Sequence, residues 1–332
     1  MKRALFYKKI KNKTLQCRLC PRFCILKENE LGKCKVRKNM GGILYSLSYE
    51  QPVAMHIDPI EKKPLYHFLP GTTSFSIGMA GCNLCCTFCQ NWEISQKGPE
   101  EIPVPNVRSK EIIKEALKND CPSISYTYSE PLISYEYVLE CSKLARKNKM
   151  KNVIVSNGFT NPEPLKKIIP FIDAVNIDVK GDDKFYREIT GAWLEPVLES
   201  LKLYKKNGVW IEVTNLLIPG KNDSQKQIKW LVDWIAKNLG KDTPVHFSAF
   251  WPTHKLQDVP STTLKTLKKA REIGMKKLNY VYTGNLPDED GNNTYCPSCK
   301  EVLIKRMGFK VMENNIKNGK CKCGKKIAGV WV

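Results

Sequence analysis

The chain has 332 residues, 42% hydrophobic and 26% charged, with a formal net charge of +21. That length suits one large domain with smaller attachments. No run approaches the roughly 18 apolar residues of a membrane span, and the basic start MKRALFYKKIKNK lacks the apolar core of a secretion signal, so a cytoplasmic protein with no membrane partner is expected.

The 14 cysteines are grouped: four at 17–34, four at 82–89 and four at 296–323, with Cys121 and Cys141 isolated. Short-spaced groups of this kind read as metal sites rather than disulfides, and the two isolated cysteines as small buried hydrophobes. Metal-bound thiolates lower the net charge to roughly +16. The lysines are spread along amphipathic stretches, and no arginine-rich tract is present. An acidic protein partner is therefore the stronger reading and nucleic acid the weaker.

Residues 1–70 read as an N-terminal metal-binding segment. Cys17, Cys20, Cys24 and Cys34 are followed by a strand over Ile43–Tyr49 and a proline-punctuated stretch to Gly71. Four such ligands suit zinc or a second 4Fe–4S cluster. Cys20-Pro21 resembles ferredoxin runs and the long gap before Cys34 does not, so both readings stand.

Residues 71–290 read as one core. Apolar, β-rich runs occur at Thr72–Met79, Ser123–Tyr128, Asn152–Val155, Ala174–Val179, Val209–Leu217 and Val245–Phe250. Leu278–Tyr282 is either a further strand or a linker. Between the runs lie helical patterns. Ile228, Leu231, Val232, Ile235 and Leu239 share one helix face, with Asp223 or Ser224 as cap and Gly240 as stop. Pro196–Lys206, Ser134–Lys147 and a stretch through Leu264, Leu267 and Ile273 are further helices. Strands alternating with helices imply a parallel sheet.

The first core strand leads through Gly81 into Cys82-Asn-Leu-Cys85-Cys86-Thr-Phe-Cys89. Cys82, Cys86 and Cys89 can hold three irons of a 4Fe–4S cluster. The fourth iron then stays open to bind a small molecule, whereas a structural cluster has four ligands. A four-cysteine zinc knot using Cys85 is the alternative, but knuckles sharing adjacent cysteines are sterically awkward. Phe88 offers an apolar surface for an adenine.

Residues 291–332 read as a separate zinc-ribbon-like tail, with knuckles at Cys296/Cys299 and Cys321/Cys323.

The Cys82–Cys89 loop resembles the signature of radical S-adenosylmethionine (SAM) enzymes. The resemblance extends to later strand ends. Glu130-Pro131 is similar to the superfamily's GGEP-type motif, with Tyr128-Ser129 where two glycines are common; it implies that Glu130 contacts the SAM amino group. Ser156-Asn157-Gly158-Phe159 is similar to a run near the SAM ribose and carboxylate in activating enzymes of the pyruvate formate-lyase type, with Val155 where an Asp is usual. Asp178-Val-Lys180 is similar to their Asp-Leu-Lys run, which serves ribose hydroxyls and the carboxylate. His246 is expected to reach the ribose edge. Asp58–Leu65, His67–Gly71 and Cys89–Gln96 resemble the AmmeMemoRadiSam-system branch of these proteins.

The resemblance implies an α/β fold with a partial (β/α)6 barrel. It implies reductive cleavage of SAM at a 4Fe–4S cluster to give a 5′-deoxyadenosyl radical, which abstracts hydrogen from a substrate it does not name. Formation of a glycyl radical on a partner enzyme is the alternative, and a zinc-rich nucleic-acid-binding protein the alternative of another class. A low-potential donor of ferredoxin or flavodoxin type is implied, with AMMECR-type and Memo-type proteins as partners.

Overall fold

The computed structural model describes residues 1–331. Eight strands form its central sheet, ordered in space as in sequence. They are β1 (Pro52–Pro59), β2 (Thr73–Met79), β3 (Ser123–Tyr126), β4 (Lys151–Ser156), β5 (Ala174–Asp178), β6 (Trp210–Leu217), β7 (Val245–Ala249) and β8 (Val281–Gly284). β1 pairs antiparallel with β2, for example Met55 with Ile77. Every later neighbour is parallel. β1 and β8 end the sheet without pairing to each other, so the barrel is partial.

Helices cover the outside: α1 (Ser109–Lys118), α2 (Tyr135–Lys147), α3 (Pro162–Ile168), α4 (Glu195–Lys206), α5 (Gln225–Asn238) and α6 (Leu264–Met275). Helix α5 shows why these segments are helical. Ile228, Leu231, Val232 and Ile235 recur on one face, and all are buried. Each contributes about 1.5–3 kcal/mol by leaving water. The Ser224 hydroxyl accepts from the Gln227 amide at 3.3 Å and caps the start, while Gly240 takes φ +99° just beyond the end.

Two strands depart from the sequence expectations. Pro52–Pro59 lies within the stretch read only as proline-punctuated, yet it forms β1, so the central sheet begins upstream of residue 71. Its prolines sit at the strand ends, where an edge strand tolerates them, and Met55 and Ile57 are exposed rather than alternating into a core. The last strand is Val281–Gly284, three residues beyond the expected start at Leu278. Among the described residues, no helix is long and apolar enough to cross a membrane.

The tail forms a three-stranded antiparallel sheet of Thr294–Tyr295, Val302–Met307 and Lys310–Asn314. It packs on the barrel end that holds the strand N-termini. Tyr66, Tyr280 and Tyr282 share a core with Leu303, Ile304 and Ile327. Arg306 is fully buried there. It donates to the Tyr66 carbonyl at 2.7 Å and the Thr294 hydroxyl at 2.9 Å, and lies 3.5 Å from the Glu61 carboxylate. His67 closes the same end, with Nδ1 at 2.7 Å from the Ala328 carbonyl and Nε2 at 2.5 Å from the Tyr282 hydroxyl. Burial pushes the His67 imidazole down to about 4.

Candidate active site

The open end of the barrel carries the Cys82–Cys89 loop. Gly81 begins it at φ +90°, and a Cβ there would collide with the Cys34 carbonyl and the Val36 side chain. The loop is pinned from its far side by the segment Tyr186–Thr190, a π-helical turn. The Cys85 amide donates to the Thr190 carbonyl at 3.0 Å and the Thr87 amide to the Ile189 carbonyl at 3.1 Å.

This anchoring sorts the cysteines. The Cys85 thiol turns toward that segment, donating to the Thr190 carbonyl at 3.4 Å and lying against Gly191. Cys82, Cys86 and Cys89 make other contacts. The Cys82 sulfur accepts from the Leu84 amide at 3.4 Å and the Asn157 side chain at 3.6 Å. The Cys89 sulfur is 3.1 Å from the Ser95 hydroxyl. Burial pushes the Cys86 thiol up to about 12, and Cys82 is raised as well. Bare thiols so held stay protonated, whereas a bound metal displaces the protons.

Glu130 sits beside this loop, fully buried, at the end of β3. Its carboxylate accepts from the Leu132 amide at 3.0 Å, the Ser156 hydroxyl at 2.9 Å and the Asn157 amide at 2.9 Å. Burial pushes it up to about 7 in spite of these bonds and the nearby Lys180. Asn157 continues the chain of contacts, donating to Asn83 Oδ1 at 2.9 Å as well as to Cys82. At the end of β5, Lys180 Nζ is 2.7 Å from Asp178 and 5.7 Å from the centre of the Phe88 ring. Burial alone would lower the Lys180 ammonium, but Asp178 holds it above its usual range. Phe88 itself is buried, with Phe185 at 5.8 Å between ring centroids. Cys82, Cys86, Cys89, Phe88, Glu130, Ser156, Asn157, Asp178 and Lys180 thus gather at one end of the barrel.

His246 does not join them. It is the second residue of β7, near the strand's N-terminal end. Its Nε2 lies 2.6 Å from Glu212, which also accepts from the Tyr66 and His67 amides at 3.0 and 2.8 Å. The ring stacks on Tyr282, beside the tail. The expected ribose contact is therefore corrected: a side chain at a strand start points into the closed end, and its polar edge is already taken.

One polar group escaped the sequence reading. Asp58 of β1 pairs with the buried Lys63 and accepts from the Tyr128 hydroxyl. Tyr128 adopts φ +71°, a left-handed conformation that costs a non-glycine residue about 1–2 kcal/mol. Lys63 Nζ also lies 4.6 Å from the centre of the Tyr128 ring, so the three side chains form one contact group. Their signal lay in the departure at Tyr128, whose partners are remote in sequence.

The N-terminal cysteines surround one enclosed cavity with Arg22, Arg37 and Asn83. The tail cysteines are closer together. Cys296, Cys299, Cys321 and Cys323 bring their sulfurs within 4.8 Å of one another, with Cys296–Cys323 at 3.7 Å and Cys299–Cys321 at 3.6 Å. That quartet could hold a single metal ion.

The chain matches the radical SAM superfamily model over residues 76–234. It is 46% identical over 331 residues to an uncharacterised protein of Methanocaldococcus jannaschii, covering 98% of this chain and 99% of that protein. It is 25% identical over 238 residues to a putative glycyl-radical enzyme activating enzyme of the same organism, covering 68% of this chain and 92% of that one. The pyruvate formate-lyase-activating enzyme of Clostridium pasteurianum is 25% identical over 164 residues, covering 48% of this chain and 67% of the enzyme. The matched residues span the cysteine loop and the strand ends around it, and on these grounds the chain belongs to the radical SAM superfamily.

Proposed function

We propose that this protein binds SAM at the barrel's open end and cleaves it reductively, through a 4Fe–4S cluster held by Cys82, Cys86 and Cys89. The observation that carries the reading is the sorting of the loop: Cys82 meets Asn157, Cys86 lies near Lys180, Cys89 lies beside Ser95, and Cys85 is turned away. Three thiolates suit a cluster with one open iron. When bound, the cluster supplies one electron to the SAM sulfonium, so that the C–S bond breaks into methionine and a 5′-deoxyadenosyl radical for hydrogen abstraction.

The chain's own residues supply binding and orientation. Glu130 serves the SAM ammonium, since a cation beside its buried carboxyl favours ionisation. Lys180 and Asp178 offer a cation for the carboxylate and an acceptor for ribose hydroxyls. Phe88 gives the adenine an apolar edge, and Ser156 and Asn157 hold Glu130 in place. In the tail, Cys296, Cys299, Cys321 and Cys323 hold zinc. The observed sulfur separations match the edge of a tetrahedron with Zn–S bonds of about 2.3 Å.

The test is anaerobic reconstitution followed by dithionite and SAM, with 5′-deoxyadenosine and methionine measured by mass spectrometry. Zinc without iron, or a loaded cluster that yields no 5′-deoxyadenosine, would overturn the reading. The two relatives named as activating enzymes favour a second reading, in which hydrogen is taken from a glycine of a partner enzyme. A glycyl doublet in the electron paramagnetic resonance (EPR) spectrum of such a partner is its signature. AMMECR-type and Memo-type proteins are the first candidate partners, and a ferredoxin-type or flavodoxin-type protein the candidate donor.

A further inference from the structure

We propose that Cys17, Cys20, Cys24 and Cys34 hold a second 4Fe–4S cluster, not zinc, in electron-transfer contact with the Cys82 loop. The first observation is spacing. All four cysteines line one enclosed cavity, yet among the described residues only the tail quartet brings three or more candidate ligand atoms within 4.8 Å of one another. A single zinc ion draws four sulfurs together, as in the tail, where pairs lie at 3.6 and 3.7 Å. A cubane core stands between its thiolates and holds them further apart. Cys82, Cys86 and Cys89 likewise fall outside the 4.8 Å grouping.

The second observation is a buried donor with nothing to bind. Arg37 lines the cavity and is 1% exposed. Its Nη2 donates to Glu136 at 3.0 Å and the Leu5 carbonyl at 2.6 Å, and its Nη1 to Glu136 at 3.3 Å and the Ile133 carbonyl at 3.4 Å. Its Nε has no partner. Leaving such a group unpaired is unfavourable, and more so when it is charged. Thiolate or sulfide sulfur in the cavity would accept from it, and the guanidinium would offset the negative charge of a four-thiolate cluster. Four thiolates close all four corners, so this site has no iron open to substrate.

Position supplies the contact. Arg22, another lining residue, donates to the Asn83 carbonyl at 2.6 Å and to the Gly191 carbonyl at 2.8 Å. Asn83 lines the cavity and is the residue after Cys82. On the other side, Gly81 lies against the Cys34 carbonyl. One residue separates the two sites along either route. A one-electron donor of ferredoxin type is oxidised as the second cluster is reduced; the electron passes on toward the Cys82 site, and no bond or proton moves.

The inference rests on its own cysteines and is tested separately from the SAM reading. Full-length protein is reconstituted anaerobically, and iron, sulfide and zinc are measured. About eight irons per chain and one zinc are expected; four irons with two zincs would overturn the inference. A Cys82→Ala/Cys86→Ala/Cys89→Ala variant should keep about four irons and a dithionite-reduced EPR signal that SAM does not alter. Loss of all iron from that variant would also overturn it. A Cys20→Ser/Cys24→Ser variant alters the two less buried ligands. It should lose about four irons, keep its zinc, and retain a signal that SAM does alter. If that signal ignores SAM, the previous section's reading fails while this one stands.

Discussion

Arg306 is the point where the tail and the barrel depend on each other most directly. Its side chain and that of Glu61 are both fully excluded from solvent. Replacing it with Met keeps most of the volume but removes the contacts to the Tyr66 and Asn292 carbonyls, the Thr294 hydroxyl and the Tyr66 ring. Glu61 would keep one backbone partner, the Gly71 amide at 3.0 Å, and its buried charge would go uncompensated. Burial already raises the Glu61 carboxyl, with Arg306 the main opposing influence. Breaking one half of a buried pair costs about 3–5 kcal/mol. Arg306→Met should therefore lower the unfolding free energy by about that much in urea titrations followed by tryptophan fluorescence. Adding Glu61→Gln should recover roughly 1–3 kcal/mol, because the stranded charge is gone. A single variant that costs under about 1 kcal/mol, or a double variant no better than the single, would refute the argument.

Glu130→Ala should weaken SAM binding and also destabilise the free protein by roughly 1–3 kcal/mol for each unpaired donor left at Leu132, Asn157 and Ser156; lost SAM binding with an unchanged melt would mean that the carboxylate serves the ligand alone. Cys85→Ala should leave iron content and 5′-deoxyadenosine formation nearly unchanged, while Ala at Cys82, Cys86 or Cys89 abolishes both; the opposite pattern would reverse the ligand assignment. His67 titrates at about 4 when folded and 6.5 when unfolded. The unfolded chain binds the extra proton between these values, so stability is full above pH 6.5 and falls on acidification toward 4, by about 3 kcal/mol. His67→Phe should flatten that slope, and parallel curves for the two proteins would contradict it. Cys299→Ser or Cys323→Ser should release the zinc proposed for the tail and lower the melting temperature; an unchanged zinc count measured by mass spectrometry would disprove the ligand set.

The parts of the site that were legible in the sequence are local ones. The cysteine loop announces itself by spacing, and Glu130, Ser156, Asn157, Asp178 and Lys180 fall where short apolar runs end. None stands out on its own strand; what singles them out is their joint order at consecutive strand ends after the cysteine loop. The parts that were not legible depend on partners far along the chain. His246 looks like a site residue until Glu212 and the Tyr66 and Tyr282 rings claim it. β1 is an edge strand whose exposed face erases the usual alternation. Arg306 reads as one basic residue in a basic tail, and its role requires Glu61, 245 positions earlier in the chain. The tail reads as separate because its cysteines form a local unit, whereas its contacts with the barrel run through aromatic residues that no spacing reveals.

The contact between Tyr128 and Gly78 has a consequence for the packing of the barrel wall. A Cβ on Gly78 would sit 2.7 Å from the Tyr128 ring, so the ring occupies the space that a side chain on the neighbouring strand would need. The two positions form a complementary pair: a larger residue at 78 requires a small one at 128. The ring is also held at its far end by Asp58. Replacing Tyr128 with Gly would relieve the left-handed backbone and remove the ring that crowds Gly78 in one step. Ring and glycine therefore set the packing of this stretch of wall together, and neither position can change in size without the other.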